Sequence, residues 1–433
     1  MQKKKAGIDE VNKKLTNETF INTHKANPRD FTRDRILTFV VVFMLILRKS
    51  LKSLQLALNE LFIHGYIDRI TSSSAYTQAR KKLLHTAFIE LNEDIIRIYY
   101  SDDKIKRWKG YRCFGIDGSK IILPNFSDIE KEYGKIKLKN QYIEDKYCCA
   151  IFECCYDVLN NIAMKSTLNA GVSYEVDLAK SMLLATEEKD LLIYDRGYAS
   201  YEFLSTLVKQ NKNYIIRCST RSFSAANSLF SGEGDWSKIV YLKPPKDQRK
   251  NIQDKGLPAE IKVRFISVVL PTGEIEVLMT SLFDSTIERD EFKYLYGLRW
   301  GVESFYYLLK SRLSLENFTG QTAESIKQDF WSTIFISNCE TLMTEEVESK
   351  MNTTLKDGQY KKKINKAVSF NTIKNMAFEI FYNEPDSNRA IEKMTLLFQT
   401  NTVVKRPERV NFRKKTSIRR SYNFLKRIKK VVF

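Results

Sequence analysis

Apolar positions divide the chain into stretches of different rhythm. Residues 1–108 follow a helical period. Positions 36–47 are apolar on every side, as in a buried helix, and KSLQLALNELFI (51–62) repeats its apolar residues at helical spacing. Ser72, Ser73 and Ser74 are placed to cap a further helix from about 75 to 100. That helix would carry Arg80, Lys81 and Lys82 near its start. Two readings stand for this region: a DNA-reading helical unit, or a bundle with a solvated charged face.

From about 110 the period changes. CFGIDGSKIIL (113–123), YCCAIFECCYDVL (147–159) and IAMKSTLNAG (162–171) read as strands. A helix (174–186), a strand (191–198), a helix (201–210) and a strand (214–219) follow. Three consecutive strands and then alternation predict a mixed sheet with helices packed on it. Residues 220–260 are polar and irregular, and 261–270 and 274–283 read as a hairpin around Pro271-Thr272-Gly273. Together they suggest an insertion over about 220–285. Long helical stretches follow at about 288–313 and 323–351.

Composition narrows the class. The 433 residues carry 71 Lys+Arg against 52 Asp+Glu, a formal charge of +19. Such a balance points to a polyanion, most simply nucleic acid. Residues 351–433 hold 20 of those cations and only 6 acids. The final stretch interleaves them with Phe412, Tyr422 and Phe424, which suits either a nucleic-acid contact or a solubilising tail. At 43% hydrophobic the chain is too apolar to be disordered throughout. Its longest largely apolar stretch, the twelve residues 36–47 broken by Thr38 alone, is short of the roughly 20 that span a bilayer. Secretion is disfavoured too, because the basic N-terminus has no apolar segment behind it. Seven cysteines are an odd number, and a reducing cytosol fits them better than a disulfide scaffold. Cys148, Cys149, Cys154 and Cys155 lack zinc-ribbon spacing. In a strand, adjacent cysteines face opposite sides, so they read as small buried residues of a central strand.

The candidate chemistry lies in acids. Asp117 follows Phe114 and Ile116 within one strand, and Asp195 ends the apolar strand before Arg196 and Gly197. An acid at the end of a buried strand must be hydrogen-bonded, paired or metal-bound, although an Asp before Gly also serves turns. In YLYGLRWGVESFYYLLKSRL (294–313), Tyr296, Arg299, Glu303 and Lys310 are spaced by 3, 4 and 7, one face of a helix. Glu303 is then either half of an i,i+4 ion pair or a metal-binding acid beside phosphate-binding cations. Three carboxylates suit a pair of Mg²⁺ or Mn²⁺ ions that assist phosphoryl transfer. The three histidines, His24, His64 and His85, all fall in the N-terminal part, which argues against a His-based site.

Here the sequence resembles a known family. Tyr296, Arg299, Glu303 and Lys310 form an unbroken Tyr-x2-Arg-x3-Glu-x6-Lys, the signature of the insertion-sequence-four group of bacterial DDE-class transposases. IDGSKIILP is similar to the block around the family's first Asp, YDRGY to that around its second, and SSSAYTQARKKL to a stretch of its N-terminal domains. The blocks span roughly 73–340. The resemblance implies an α/β, RNase H-like catalytic domain over 109–345, with a mixed sheet, flanking helices and the β-rich insertion. An α-helical N-terminal DNA-binding domain (1–108) would precede it. A basic helical C-terminal region (346–433) for dimerisation, DNA contact or both would follow.

The resemblance also implies roles. Asp117, Asp195 and Glu303 would be the catalytic, metal-binding acids for two Mg²⁺ ions, with Mn²⁺ as a substitute. Tyr296, Arg299 and Lys310 would hold phosphates of double-stranded DNA. Arg196 and Trp300 are further candidate DNA contacts. Trp236 is a candidate, by its place in the insertion, for stacking on an extruded base. The implied reaction is hydrolysis at the element's terminal inverted repeats, then attack of the freed 3′-OH on target DNA. It would follow a cut-and-paste route through a hairpin, run by a homodimer in the bacterial cytoplasm at the nucleoid. The rivals are a non-catalytic DNA-binding protein derived from a transposase, and a simple nuclease of the same fold.

Overall fold

The structure is a computed structural model and describes residues 2–33, 35–49, 52–137, 146–232, 234–353, 355, 358–382 and 384–405. The chain divides into two units. The first gathers the described parts of 1–103, 122–149 and 308–433; the second holds 104–121 and 150–307. The tail aromatics Phe412, Tyr422 and Phe424 lie outside the described residues.

The first unit is helical. It contains α1 (Gln2–Leu15), α2 (Glu18–Thr23), α3 (Phe39–Arg48), α4 (Leu54–Ile63), α5 (Ser73–Arg80), α6 (Thr86–Tyr99) and α7 (Ser127–Tyr133). The all-apolar run becomes α3, capped by Thr38 and buried from Phe39 to Leu47. After α8–α13, described below, come α14 (Ala323–Thr353), α15 (Lys366–Asn375), α16 (Ala377–Phe381) and α17 (Glu384–Thr400). Helix α14 is buried on nearly every side and touches α1, α3, α6, α15 and α17. Leaving a polar group unpaired there is costly, and Arg80 shows how the unit meets that demand. Its Nε donates to Gln328 (2.7 Å), Nη1 to Thr319 (2.7 Å), and Nη2 to Asp329 (2.8 Å) and the Ser325 carbonyl (3.0 Å).

This network corrects the expected helix over 75–100. Ser72 does cap α5, but the helix stops at Arg80. Residues 82–84 leave the helix to pair with another segment: Ala26 N–H donates to the Lys82 carbonyl, and Leu84 N–H to that of His24. Arg80 is therefore neither a solvated nor a DNA-facing cation.

The second unit is built on a sheet. Its strands are β1 (Arg112–Ile122), β3 (Lys146–Asp157), β4 (Ile162–Ala170), β5 (Asp190–Tyr194), β6 (Asn213–Arg217), β7 (Ser237–Leu242), β8 (Ile261–Val269) and β9 (Ile275–Thr280). The short β2 (Lys135–Lys137) belongs to the first unit, where it pairs with the opening residues of β3. The order is β4-β3-β1-β5-β6-β9-β8-β7. β1, β5 and β6 run parallel, and β9, β8 and β7 continue antiparallel.

Both faces of the central strands are covered, which is why they read as unbroken apolar runs. Leu192 and Tyr194 face α8 (Glu175–Met182) and α9 (Tyr201–Lys209). Leu191 and Ile193 face α12 (Arg289–Gly297). Cys148, Cys149, Cys154 and Cys155 are all buried on β3, as their pattern suggested.

Two expectations need adjusting. Residues 220–260, expected as irregular, contribute β7, α10 (Asn227–Phe230) and α11 (Arg249–Asp254), and β7 joins β8 and β9 in extending the same sheet. The helix expected over 288–313 is two helices, α12 and α13 (Trp300–Ser311), joined by a tight turn at Leu298 and Arg299. Among the described residues, no helix is long and apolar enough to cross a membrane.

Asp329→Ala would leave the Arg80 charge buried without its carboxylate. The expected cost is about 3–5 kcal/mol, read as a lowered urea midpoint at unchanged slope.

Candidate active site

The site begins with strand register. β1 and β5 pair in parallel, Arg112 opposite Asp190 through Gly115 opposite Ile193. At one end the Arg112 guanidinium grips Asp190 through two bonds, Nε–Oδ1 2.7 Å and Nη2–Oδ2 2.8 Å, and both residues are buried. Carried two residues past Gly115, the same register sets Asp117 beside Asp195. Side chains alternate between faces, so Asp117 shares the face of Cys113, and Asp195 that of Leu191 and Ile193. This is the face that α12 covers.

The third acid arrives on α13. Gly115 sits where the space is narrow: a Cβ there would stand 3.2 Å from Val158 and 3.4 Å from Val302 of that helix. Phe305 stacks on Tyr156 at 4.3 Å, and the Tyr306 hydroxyl donates to the Asp117 carbonyl. Glu303 is thereby fixed on the helix that covers β1 around Gly115 and Asp117.

Two arginines hold the three acids. Arg299, in the turn between α12 and α13, places Nη2 2.6 Å from Glu303 Oε1 and Nη1 3.6 Å from Asp117 Oδ2. Arg217, the last residue of β6, reaches Asp195 at 2.8 Å and Glu276 on β9 at 2.6 Å. The Tyr296 hydroxyl donates to Asp195 at 3.3 Å. These surroundings push the two aspartates apart. Burial lifts the Asp117 carboxyl to about 6; Arg299 and the Gly118 N–H pull it down, while Glu303 and Asp195 push it further up. Burial acts on Asp195 too, but the Arg196 N–H, Arg217, Arg299 and Tyr296 together hold it below the usual range.

The structure thus brings Tyr296, Arg299, Glu303, Asp117 and Asp195 together. Trp300 is 44% exposed, with its ring 5.0 Å from the Arg299 guanidinium. Arg196 is exposed and reaches Asp195 through its backbone. Trp236 is half-buried against the core, with the Arg264 guanidinium 5.4 Å over its ring. Lys310 belongs to the first unit, where its Nζ lies 3.7 Å from Glu316.

Sequence reasoning missed Arg217 and Glu276, although a cation ending the apolar strand YIIR was the same kind of signal as Asp195. It also missed Glu153 on β3, a lone acid within an apolar run. Glu153 is fully buried, neither carboxylate oxygen has a hydrogen-bond partner, and burial lifts it to about 9, with Glu175 and Asp117 adding to the rise.

The donor chemistry fits a hard divalent cation. All the candidate ligands are carboxylates, and Asp117, raised chiefly by burial and further by Glu303 and Asp195, is a group whose charged form a cation would favour. Among the described residues, however, no group of three His, Cys, Asp or Glu side chains stands ready to hold an ion. Arg299 and Arg217 occupy the acids instead.

A second feature lies in the first unit. A groove of about 640 Å³ runs beside α5 and is lined by Arg29, Arg33, Arg35, Arg69 and Lys82, with Gln78 on the helix. Lys82 is shared with Asp30 at 3.6 Å.

Asp117 within β1 and Asp195 just past β5 thus stand on neighbouring parallel strands, with Glu303 on a covering helix. Residues 108–339 match the family described as Transposase DDE domain, and the chain belongs to that family. Membership implies a DNA-cleaving, transposing enzyme, of a kind that generally uses divalent metal ions. No curated protein matches it. Among solved structures, a cryo-EM structure of piggyBac transposase in a synaptic complex with hairpin DNA is similar. Its TM-score is 0.45 at 9% identity, over 90% of this chain and 85% of that one.

Glu153 yields a pH prediction. The folded chain keeps its proton up to about pH 9, whereas the unfolded carboxyl loses it near 4.5. Between those values the folded state binds the extra proton, so stability falls as pH rises through the window. Glu153→Gln should therefore melt several degrees above the parent at pH 8 and no higher at pH 4, by thermal unfolding.

Proposed function

We propose that this chain is a transposase of the insertion-sequence-four type that cuts its element's terminal inverted repeats and joins the 3′-OH ends to target DNA. The observation that carries the reading is the meeting of the signature residues Tyr296, Arg299 and Glu303 with Asp117 and Asp195. A sequence-specific binder has no use for three acids gathered at one sheet end.

In this reading Asp117, Asp195 and Glu303 hold Mg²⁺, two ions per site. An ion bound there would supply Lewis-acid assistance to water and to the attacking and leaving oxygens of the phosphodiester. Tyr296 and Arg217 orient Asp195. Arg299 grips a phosphate, for which its planar fork is suited, and Lys310 adds a point charge. No covalent protein–DNA bond forms. The second strand is cut through a hairpin, and the active species is a homodimer assembled on paired ends. The C-terminal basic region serves dimerisation, DNA contact or both.

The test is a labelled duplex carrying the terminal repeat and its flank, incubated with Mg²⁺ or EDTA. Nicking at the repeat boundary is expected only with metal. It should fall by at least about 100-fold in Glu303→Gln, as for other losses of transition-state charge stabilisation. Binding without any cleavage under Mg²⁺ or Mn²⁺ would instead identify a DNA-binding protein.

The N-terminal region contacts DNA through the groove beside α5, whose cations suit phosphates and whose outward residues Ser74, Thr77 and Gln78 are exposed. Replacing Arg33, Arg35 and Arg69 together by Ala should weaken binding to all duplexes. The slope of log K against log salt should flatten by about one unit for each phosphate that is no longer neutralised, measured by fluorescence anisotropy.

A further inference from the structure

The Arg299 side chain is only 4% exposed. Its two Nη groups face Asp117 and Glu303, and its Nε is buried without a hydrogen-bond partner. A guanidinium held this way cannot also grip a phosphate arriving from solvent. Arg299 holds Glu303 Oε1 at 2.6 Å, so a divalent ion arriving on that carboxylate would bring a second cation to contact distance, and their repulsion favours release of the guanidinium. Arg217 differs. It is braced by Glu276, an acid outside the proposed ligand set, and so keeps a carboxylate partner whatever happens at Asp195. Both partners of Arg299 are proposed ligands.

The surroundings provide a way out. Arg299 lies in the turn between α12 and α13 rather than inside a helix. The ring of Trp300 lies 5.0 Å from the guanidinium, and that residue is 44% exposed, so the guanidinium has a solvent-reaching aromatic neighbour. A cation sliding along an aromatic face keeps part of its stabilisation as it leaves.

We propose that Arg299 is an internal counter-ion that holds Asp117 and Glu303 until a divalent ion displaces it, and that the released guanidinium then takes a DNA phosphate. Metal and DNA binding are therefore positively coupled. By linkage, DNA tightens metal binding by the factor by which metal tightens DNA binding. A protein without DNA keeps its acids neutralised and binds metal weakly, which limits cleavage away from a bound end. The inference rests on reading the three acids as ion ligands.

The experiment is a Mn²⁺ titration of the full chain, with free Mn²⁺ read by electron paramagnetic resonance, without DNA and with the terminal-repeat duplex. Without DNA, Arg299→Gln should bind Mn²⁺ at least ten-fold tighter than the parent. Arg299→Lys, which keeps the charge, should stay within about three-fold of it, and serves as the second probe if the Gln variant fails to fold. The duplex should tighten the parent at least ten-fold and Arg299→Gln by less than three-fold. Equal or weaker metal binding by Arg299→Gln, markedly tighter binding by Arg299→Lys, or full DNA enhancement in Arg299→Gln overturns the proposal. Glu303→Gln separates the two readings. If it keeps parental Mn²⁺ affinity, these acids are not the ligands and the underlying reading falls with the proposal. If it loses that affinity, the ligand reading stands and only the role of Arg299 is being judged.

Discussion

The parallel register of β1 and β5 is the constraint on which the site depends. The buried Arg112–Asp190 pair pins that register at one end, with two bonds that a one-residue slip would break. A slip would also reverse the faces of every side chain on the strand. Asp117 and Asp195 would then part, one to each face of the sheet. The acids are brought together by backbone pairing, and the side chains beyond them only adjust the result.

The adjustment is electrostatic. Burying an acid beside two others is unfavourable on its own, and Asp117, lifted to about 6 chiefly by burial, records that cost. The fold offsets it with two guanidinium groups delivered from different places, the end of β6 and the turn after α12. Arg217 is fixed between Asp195 and Glu276. Arg299 sits between two acids that the proposed chemistry needs for itself. One arginine is built into the frame, and the other occupies the working position. Tyr296 completes the set from α12, its ring packed in the core and its hydroxyl on Asp195.

Much of this was legible because burial leaves a clear signature in sequence. β5 and β6 are covered on both faces, so LLIY and YIIR stand out, and the charges that end them are conspicuous. What was lost depends on distant partners. The break after α5 follows from Arg80 meeting Asp329, 249 positions away, and no local pattern announces it. Arg217 finds Glu276 across 59 positions because β6 and β9 are neighbours, an adjacency the strand order alone supplies. β7 was missed because SKIVYL is short, half-exposed and set among glycines and prolines. The helical spacing of Tyr296, Arg299 and Glu303, by 3 and then 4, suggested one continuous face. The chain instead turns between α12 and α13, and the three side chains still converge on the aspartates.

The most direct test of the account is an anomalous difference map from crystals of the full chain grown with duplex DNA and Mn²⁺. The account predicts a manganese peak bounded by the carboxylates of Asp117 and Asp195. Manganese found only at other carboxylates, with Asp117 and Glu303 still closed on Arg299, would contradict it.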